Sequence, residues 1–186
     1  MSTTVKCTAE EALKRLKDGN AQYLGAAVNA GDVSPALRKS SVEGQSPYAV
    51  VITCSDSRVI PESIFSAGIG ELFVIRVAGN VIDNHQLGSI EYATGHLGSR
   101  LILVMGHDRC GAVDAAIHSA PEGFVKTITD EIKRAIGAET DPTAASCLNV
   151  RSSVKKIEES LHIGAESDLK VCGAIYHIAD GSVEFL

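Results

Sequence analysis

Ala49-Val50-Val51-Ile52-Thr53-Cys54-Ser55-Asp56-Ser57-Arg58 and Leu101-Ile102-Leu103-Val104-Met105-Gly106-His107-Asp108-Arg109-Cys110 are built alike. Each opens on a short apolar run and closes on side chains that seek metal. Apolar runs of this length and β-branched content read as strands buried on both faces of a parallel sheet. In an open α/β sheet, ligands collect beyond the carboxyl ends of the strands. If the two strands are neighbours, Cys54, His107 and Cys110 converge there. Two thiolates and an imidazole form a tetrahedral zinc site that lacks one protein ligand. Structural zinc sites normally close with four, so three point to catalysis.

Taken singly, these residues have plain structural readings. Free Cys is among the most buried residue types, and a His can simply end a strand. The joint pattern, His-x-x-Cys at one strand end and Cys at another, is what argues for a metal. A redox pair has no Cys-x-x-Cys to support it. Cys7, Cys147 and Cys172 fall in a tail, a helix and a strand, and are read as structural.

Asp56 and Arg58 follow Cys54 at two and four residues. A carboxylate there either completes the metal sphere or accepts a hydrogen bond from the ligand in the fourth position. Arg58 can pair with it through its planar fork, which keeps Asp56 ionised and oriented.

At 186 residues the chain suits a single domain, 1–186, with a core of its own. A hydrophobic fraction of 45% with 22% charged residues is ordinary for a globular protein. The net charge of −6 argues against nucleic acid and anionic membrane as partners. No apolar stretch approaches the ~20 residues of a membrane span. The start, Met1-Ser2-Thr3-Thr4-Val5-Lys6, shows no secretory signal. Five cysteines without regular spacing give no disulfide framework, and a cytoplasmic location is expected.

Around the two strands the pattern alternates. Thr8 to Glu11 matches a capping box, and Ala12, Leu13 and Leu16 predict a helix over about 8–18. Its shortness suggests that it lies on something else, such as another subunit. Residues 24 to 47 read as loop, with one turn at Ala36-Leu37-Arg38. Pro61 starts a short helix through Ala67. Gly68-Ile69-Gly70 precedes a strand, Leu72 to Val77, and is therefore rejected as a dinucleotide loop. Helices are predicted over Gln86–Leu97, Gly111–His118, Thr127–Ile136 and Ala144–Leu161, the last with Leu148, Val154, Ile157 and Leu161 inward. Lys170 to Ile178 is a further core strand, and Ser182 to Leu186 an antiparallel edge after a turn. The fold class is α/β: a mainly parallel sheet of about four parallel strands plus the edge strand, flanked by helices.

Cys54-Ser-Asp-Ser-Arg-Val59, Glu71-Leu-Phe-Val-Ile-Arg76, Ser89-Ile-Glu-Tyr-Ala93 and Gly106-His-Asp-Arg-Cys-Gly-Ala-Val113 together resemble a β-class carbonic anhydrase. The likeness is dense from Gly44 to Ala115 and thinner through Asn149-Val150 and the Val171-to-Phe185 hairpin. It implies a β-carbonic anhydrase-like fold and zinc held by Cys54, His107 and Cys110. It also implies Asp56 with Arg58 as the catalytic dyad, and reversible hydration of CO2 to bicarbonate. In carbonic anhydrases, zinc-bound water titrates near 7 instead of about 15.7. Gln45, Phe73 and Tyr92 match the substrate pocket of the plant-type subgroup, an amide donor with an apolar lining. The resemblance further implies a homodimer or higher homo-oligomer, with the N-terminal helix packed on the neighbour.

Two departures stand out. The family often shows Arg-Asn-x-Ala-Asn where this chain has Arg76-Val-Ala-Gly-Asn80. Members that switch with pH carry a Trp where this chain has Val51, so Asp56 is expected to stay off the metal, on Arg58. Two alternatives remain at this stage. One is hydrolysis of carbonyl sulfide or carbon disulfide by the same zinc chemistry; the other is a non-catalytic zinc-stabilised module, which the presence of both Asp56 and Arg58 disfavours.

Overall fold

The computed structural model describes residues 7–26, 31–164 and 167–186. Five strands form one sheet in the order β2-β1-β3-β4-β5. They are β1 (Ala49–Thr53), β2 (Leu72–Arg76), β3 (Leu101–His107), β4 (Lys170–Tyr176) and β5 (Val183–Phe185). The first four run parallel, and β5 pairs antiparallel with β4. Every residue of β1 and β3 is buried, as their unbroken apolar runs require in the middle of a parallel sheet. β2, on the edge, is only half-buried.

Successive residues of β1 and β3 face opposite sides and feed two cores. Ala49, Val51, Leu103 and Met105 pack with Ala12 and Leu16 of helix α1 (Ala9–Gly25). Val50, Ile52, Ile102 and Val104 pack with Ile90 of α4 (Asn84–Glu91) and with Val150 and Ile157 of α7 (Pro142–Ser160). Helix α7 comes unusually close to the sheet because glycines lie beneath it. A Cβ at Gly106 or at Gly173 would stand 2.7 Å from a Val150 methyl. Gly173, which weakens the strand reading from sequence alone, is thus what lets α7 dock.

Several boundaries differ from expectation, each for a physical reason. Helix α1 starts at the predicted capping box, Thr8 with Glu11, but runs past Gly19-Asn20 to Gly25. Asn20 is buried there, donating to Ile64 O and Gly181 O and accepting from Val183 N–H. The inner face of α1 is seated on its own chain's sheet, so its burial requires no second subunit. Helix α2 (Pro35–Ser40), capped by Ser34, replaces the single expected turn. Helix α3 (Pro61–Ile64) stops early because Ser66 enters the left-handed region, with φ 47°. The helix expected over Gln86–Leu97 is two pieces: α4, capped by Asp83, and a π-helical turn over Tyr92–His96.

Two further helices, α5 (Gly111–His118) and α6 (Val125–Ile136), lie beyond the carboxyl end of the sheet. They enclose a third cluster with Cys54, Val81 and Cys110. In α7 the buried stripe is Ser146, Asn149, Val150, Ser153 and Ile157, not one through Leu148. Leu148 is exposed, because two positions from Val150 is a turn of about 200° round the helix. Among the described residues, no helix is long and apolar enough to cross a membrane.

Candidate metal centre

β1 and β3 are adjacent, and their register, Val50 with Ile102 through Thr53 with Met105, brings both chains out at the same end. Cys54 is the first residue after β1, His107 is the last of β3, and Cys110 caps α5. All three are buried, and their ligand atoms lie within 4.8 Å of one another. A zinc about 2.3 Å from sulfur and about 2.0 Å from nitrogen needs donors at such close quarters.

The imidazole is the most telling donor. Its Nδ1 stands 2.7 Å from Asp108 O and donates to it, so Nε2 carries the lone pair. That Nε2 is fully buried and has no hydrogen-bond partner. A buried, bare nitrogen beside two sulfurs is costly unless something occupies the space between them. The donor set and this orphaned atom fit zinc.

The sulfurs are held as thiolates would be. Gly79 N–H donates to Cys54 Sγ at 3.3 Å, and the amides of Ala112 and Val113 at the start of α5 face Cys110. Two buried sulfurs this close do not both ionise freely. The Cys110 S–H, with help from His107 and Gly79, draws Cys54 well below the ordinary thiol range against the effect of burial. The Cys54 charge, reinforced by burial, pushes Cys110 up in return. Burial lowers His107, but the negative charge of the neighbouring Cys54 sulfur outweighs it and leaves the imidazole raised. A cation among the three donors would relieve this competition.

Asp56 stands at the rim, outside the group of three, with Oδ2 3.9 Å from His107 Nε2. Arg58 grips it from both sides: Nε donates to Oδ1 at 2.9 Å and Nη2 to Oδ2 at 2.7 Å. The Arg58 backbone N–H adds a third bond to Oδ1 at 2.9 Å. The guanidinium therefore holds the Asp56 carboxyl well below the usual carboxylate range, despite partial desolvation.

Two anchoring residues lie inside the quoted motifs but receive no role from the sequence reading. Arg76 is paired in register with Thr53, and its guanidinium donates to Cys54 O at 3.2 Å and Asp56 O at 2.6 Å. An Arg closing an apolar edge strand was the available signal. Asp108 ties the His107–Cys110 turn to β4, its N–H donating to Tyr176 O and its Oδ1 accepting from Ile178 N–H at 3.0 Å.

Gln45, Phe73 and Tyr92 lie elsewhere. Gln45 is exposed ahead of β1, and Phe73 pairs with Val50, at the amino-terminal half of the strand. Tyr92 is 47% exposed, its ring 6.2 Å from that of Phe73 and 5.4 Å from that of His96. From Val50 to Cys54 the strand advances roughly 13 Å. Phe73 and Tyr92 therefore meet each other, at the opposite end of the sheet from their own chain's Cys54.

A family model described as carbonic anhydrase matches residues 49–183. A carbonic anhydrase of Mycolicibacterium smegmatis is 38% identical over 193 aligned positions, covering 93% of this chain and 91% of the relative. Carbonic anhydrase 2 of Mycobacterium tuberculosis is 43% identical over 126 positions, 65% of this chain and 61% of that one. Among solved structures, tetrameric β-carbonic anhydrases of Sordaria macrospora superpose with a TM-score of 0.71 at 28% identity, over 82% of this chain and 87% of theirs. A Coccomyxa β-carbonic anhydrase in complex with acetazolamide gives 0.71 at 27% identity, over 82% and 78%. Fold, sequence and the Cys54, His107 and Cys110 constellation agree: the chain belongs to the β-class carbonic anhydrase family.

Proposed function

We propose that this carbonic anhydrase hydrates CO2 reversibly to bicarbonate at a zinc held by Cys54, His107 and Cys110. The observation that carries the reading is the bare, buried His107 Nε2 between two sulfurs, beside a carboxylate that Arg58 keeps ionised. Zinc in such a three-donor site supplies a Lewis acid that makes water nucleophilic near neutral pH.

The chain's own groups do the rest. Ionised Asp56 can only accept hydrogen bonds, so it takes the O–H of the attacking water and turns an oxygen lone pair towards the substrate. Arg58 holds Asp56 in place, because a move onto the metal would break the two-pronged guanidinium pair and the backbone bond to Oδ1. Both residues being present and clamped supports an enzyme over a zinc-stabilised structural module.

Gln45, Phe73 and Tyr92 serve as the substrate pocket of a neighbouring chain's centre. Their distance from their own Cys54 supports that reading, and it makes the working unit a homodimer or a larger assembly. The tetrameric state of the Sordaria enzymes is consistent with it. Five free cysteines support a reducing cytoplasm. Relatives described as carbonic anhydrases favour CO2 over carbonyl sulfide. Turnover of both gases by the zinc-loaded chain, side by side, tests this: CO2 should be hydrated far faster, and a carbonyl sulfide rate equal to or above it would reverse the assignment.

A further inference from the structure

Arg76-Val77-Ala78-Gly79-Asn80, the segment that departs from the family pattern, ends in two successive residues with left-handed backbone. Gly79 has φ 68° and Asn80 φ 44°. Left-handed conformation is cheap for Gly and tolerable for Asn, but two in a row persist only when the surroundings fix them. The surroundings here are one face of α7. Asn149 Nδ2 donates to Gly79 O at 2.8 Å, and Ser153 Oγ donates to Asn80 O at 3.2 Å. Four residues apart, these side chains stand one above the other on the helix, matching the two consecutive carbonyls. All four residues are buried. On the other side of the turn, Gly79 N–H points at Cys54 Sγ.

We infer that Asn149 is a positioning residue for the metal centre, acting through the Gly79 peptide on the Cys54 sulfur. Its amide fixes the Gly79–Asn80 turn in the one conformation that aims Gly79 N–H at the thiolate. That hydrogen bond withdraws electron density from sulfur and sets how strongly Cys54 donates to a metal. Gly79 is a poor place to make this test, since its φ of 68° strains any side chain and a Cβ would also crowd Ile132 Cδ1 and Ala112 Cβ. The inference rests on the proposed metal site, and its test separates the two.

The chain is prepared with Co(II), whose sulfur-to-metal charge-transfer band reports thiolate donation, and with cadmium-113 for magnetic resonance. In the unaltered protein, the Gly79 amide proton should show scalar coupling to cadmium through Cys54 Sγ. Its absence from a cadmium-loaded chain would overturn the inference without any variant being made. Asn149→Leu should shift the cobalt band to longer wavelength, since sulfur without the amide donates more strongly, and speed metal loss to a chelator about tenfold, because Cys54 is then no longer held in its ligating position. Val150→Ala, its neighbour on α7, loosens the same helix without touching Gly79 and should leave the band in place. An Asn149→Leu protein with the wild-type band and release rate would overturn the inference alone. An unaltered protein that takes up neither metal would overturn the metal site and this inference together.

Discussion

The two ends of the sheet are built on different terms. At the carboxyl end, Cys54, Asp56, His107 and Cys110 are tied down by backbone amides, by the Arg58 fork, by Arg76 and by Asp108. At the amino end, Gln45 and Tyr92 are exposed, and the Tyr92 ring packs against those of Phe73 and His96, away from the metal centre. The first end is a finished site in one chain. The second is a largely exposed surface, which the proposed assembly would complete. Rigid anchoring suits residues that must meet an ion to within tenths of an ångström; a pocket assembled between chains can be left open until the chains meet.

The largest effect expected is at the anchored end. Cys54→Ser should lose metal and activity together, because a hydroxyl is a poor soft ligand. Elemental analysis beside a CO2 hydration assay checks this, and retained zinc with no loss of rate would break the contrast between the ends. Next, Asp56→Asn should keep zinc but lower kcat/KM by about a hundredfold, since an amide can donate where the carboxylate only accepts. Arg58→Ala should also keep zinc and lose about tenfold, with Asp56 then able to reach the metal.

The open end predicts a different behaviour. Gln45→Ala should raise KM by about tenfold with zinc content unchanged. Mixed by subunit exchange with inactive Cys54→Ser chains, it should recover about a quarter of full activity, because half the dimers then hold one intact composite site. Activity equal to the average of the two unmixed proteins would show that each chain uses its own pocket.

The smallest effect concerns pH. Arg58 depresses the Asp56 carboxyl, so the pair's contribution to stability is complete above the ordinary Asp range of about 3.9 and fades only at more acid pH. The Tm difference between wild type and Asp56→Asn should therefore stay constant from pH 8 to pH 5. A difference that shrinks between pH 8 and pH 6 would mean that Asp56 is not held down.

What the sequence conveyed follows the same division. The strands β1 and β3 were legible because complete burial leaves an unbroken apolar run, and the metal trio because its chemistry admits few residue types. Helix α5 was read to the residue, from Gly111 to His118. The buried face of α7 is legible in part: Val154, Ile157 and Leu161 pack inward as expected and Leu148 does not, while Asn149 and Ser153 face inward because they hydrogen-bond to backbone carbonyls, which no apolar pattern announces. The π-helical turn after Glu91 was likewise hidden, since its residues keep a helical spacing until Gly98. The seat of α1 on its own sheet was missed because the helix offers only Ala12 and Leu16 as fully buried apolar contacts.

The proposed role of the carboxyl end depends on CO2 hydration at a zinc bound by Cys54, His107 and Cys110. Stepwise return of zinc to the metal-stripped chain, with hydration followed by stopped flow at each step, tests it most directly. Activity should rise in proportion to zinc and level off at one ion per chain. A metal-free chain that already hydrates CO2 at the full rate, or a fully loaded one that stays at the uncatalysed rate, would contradict it.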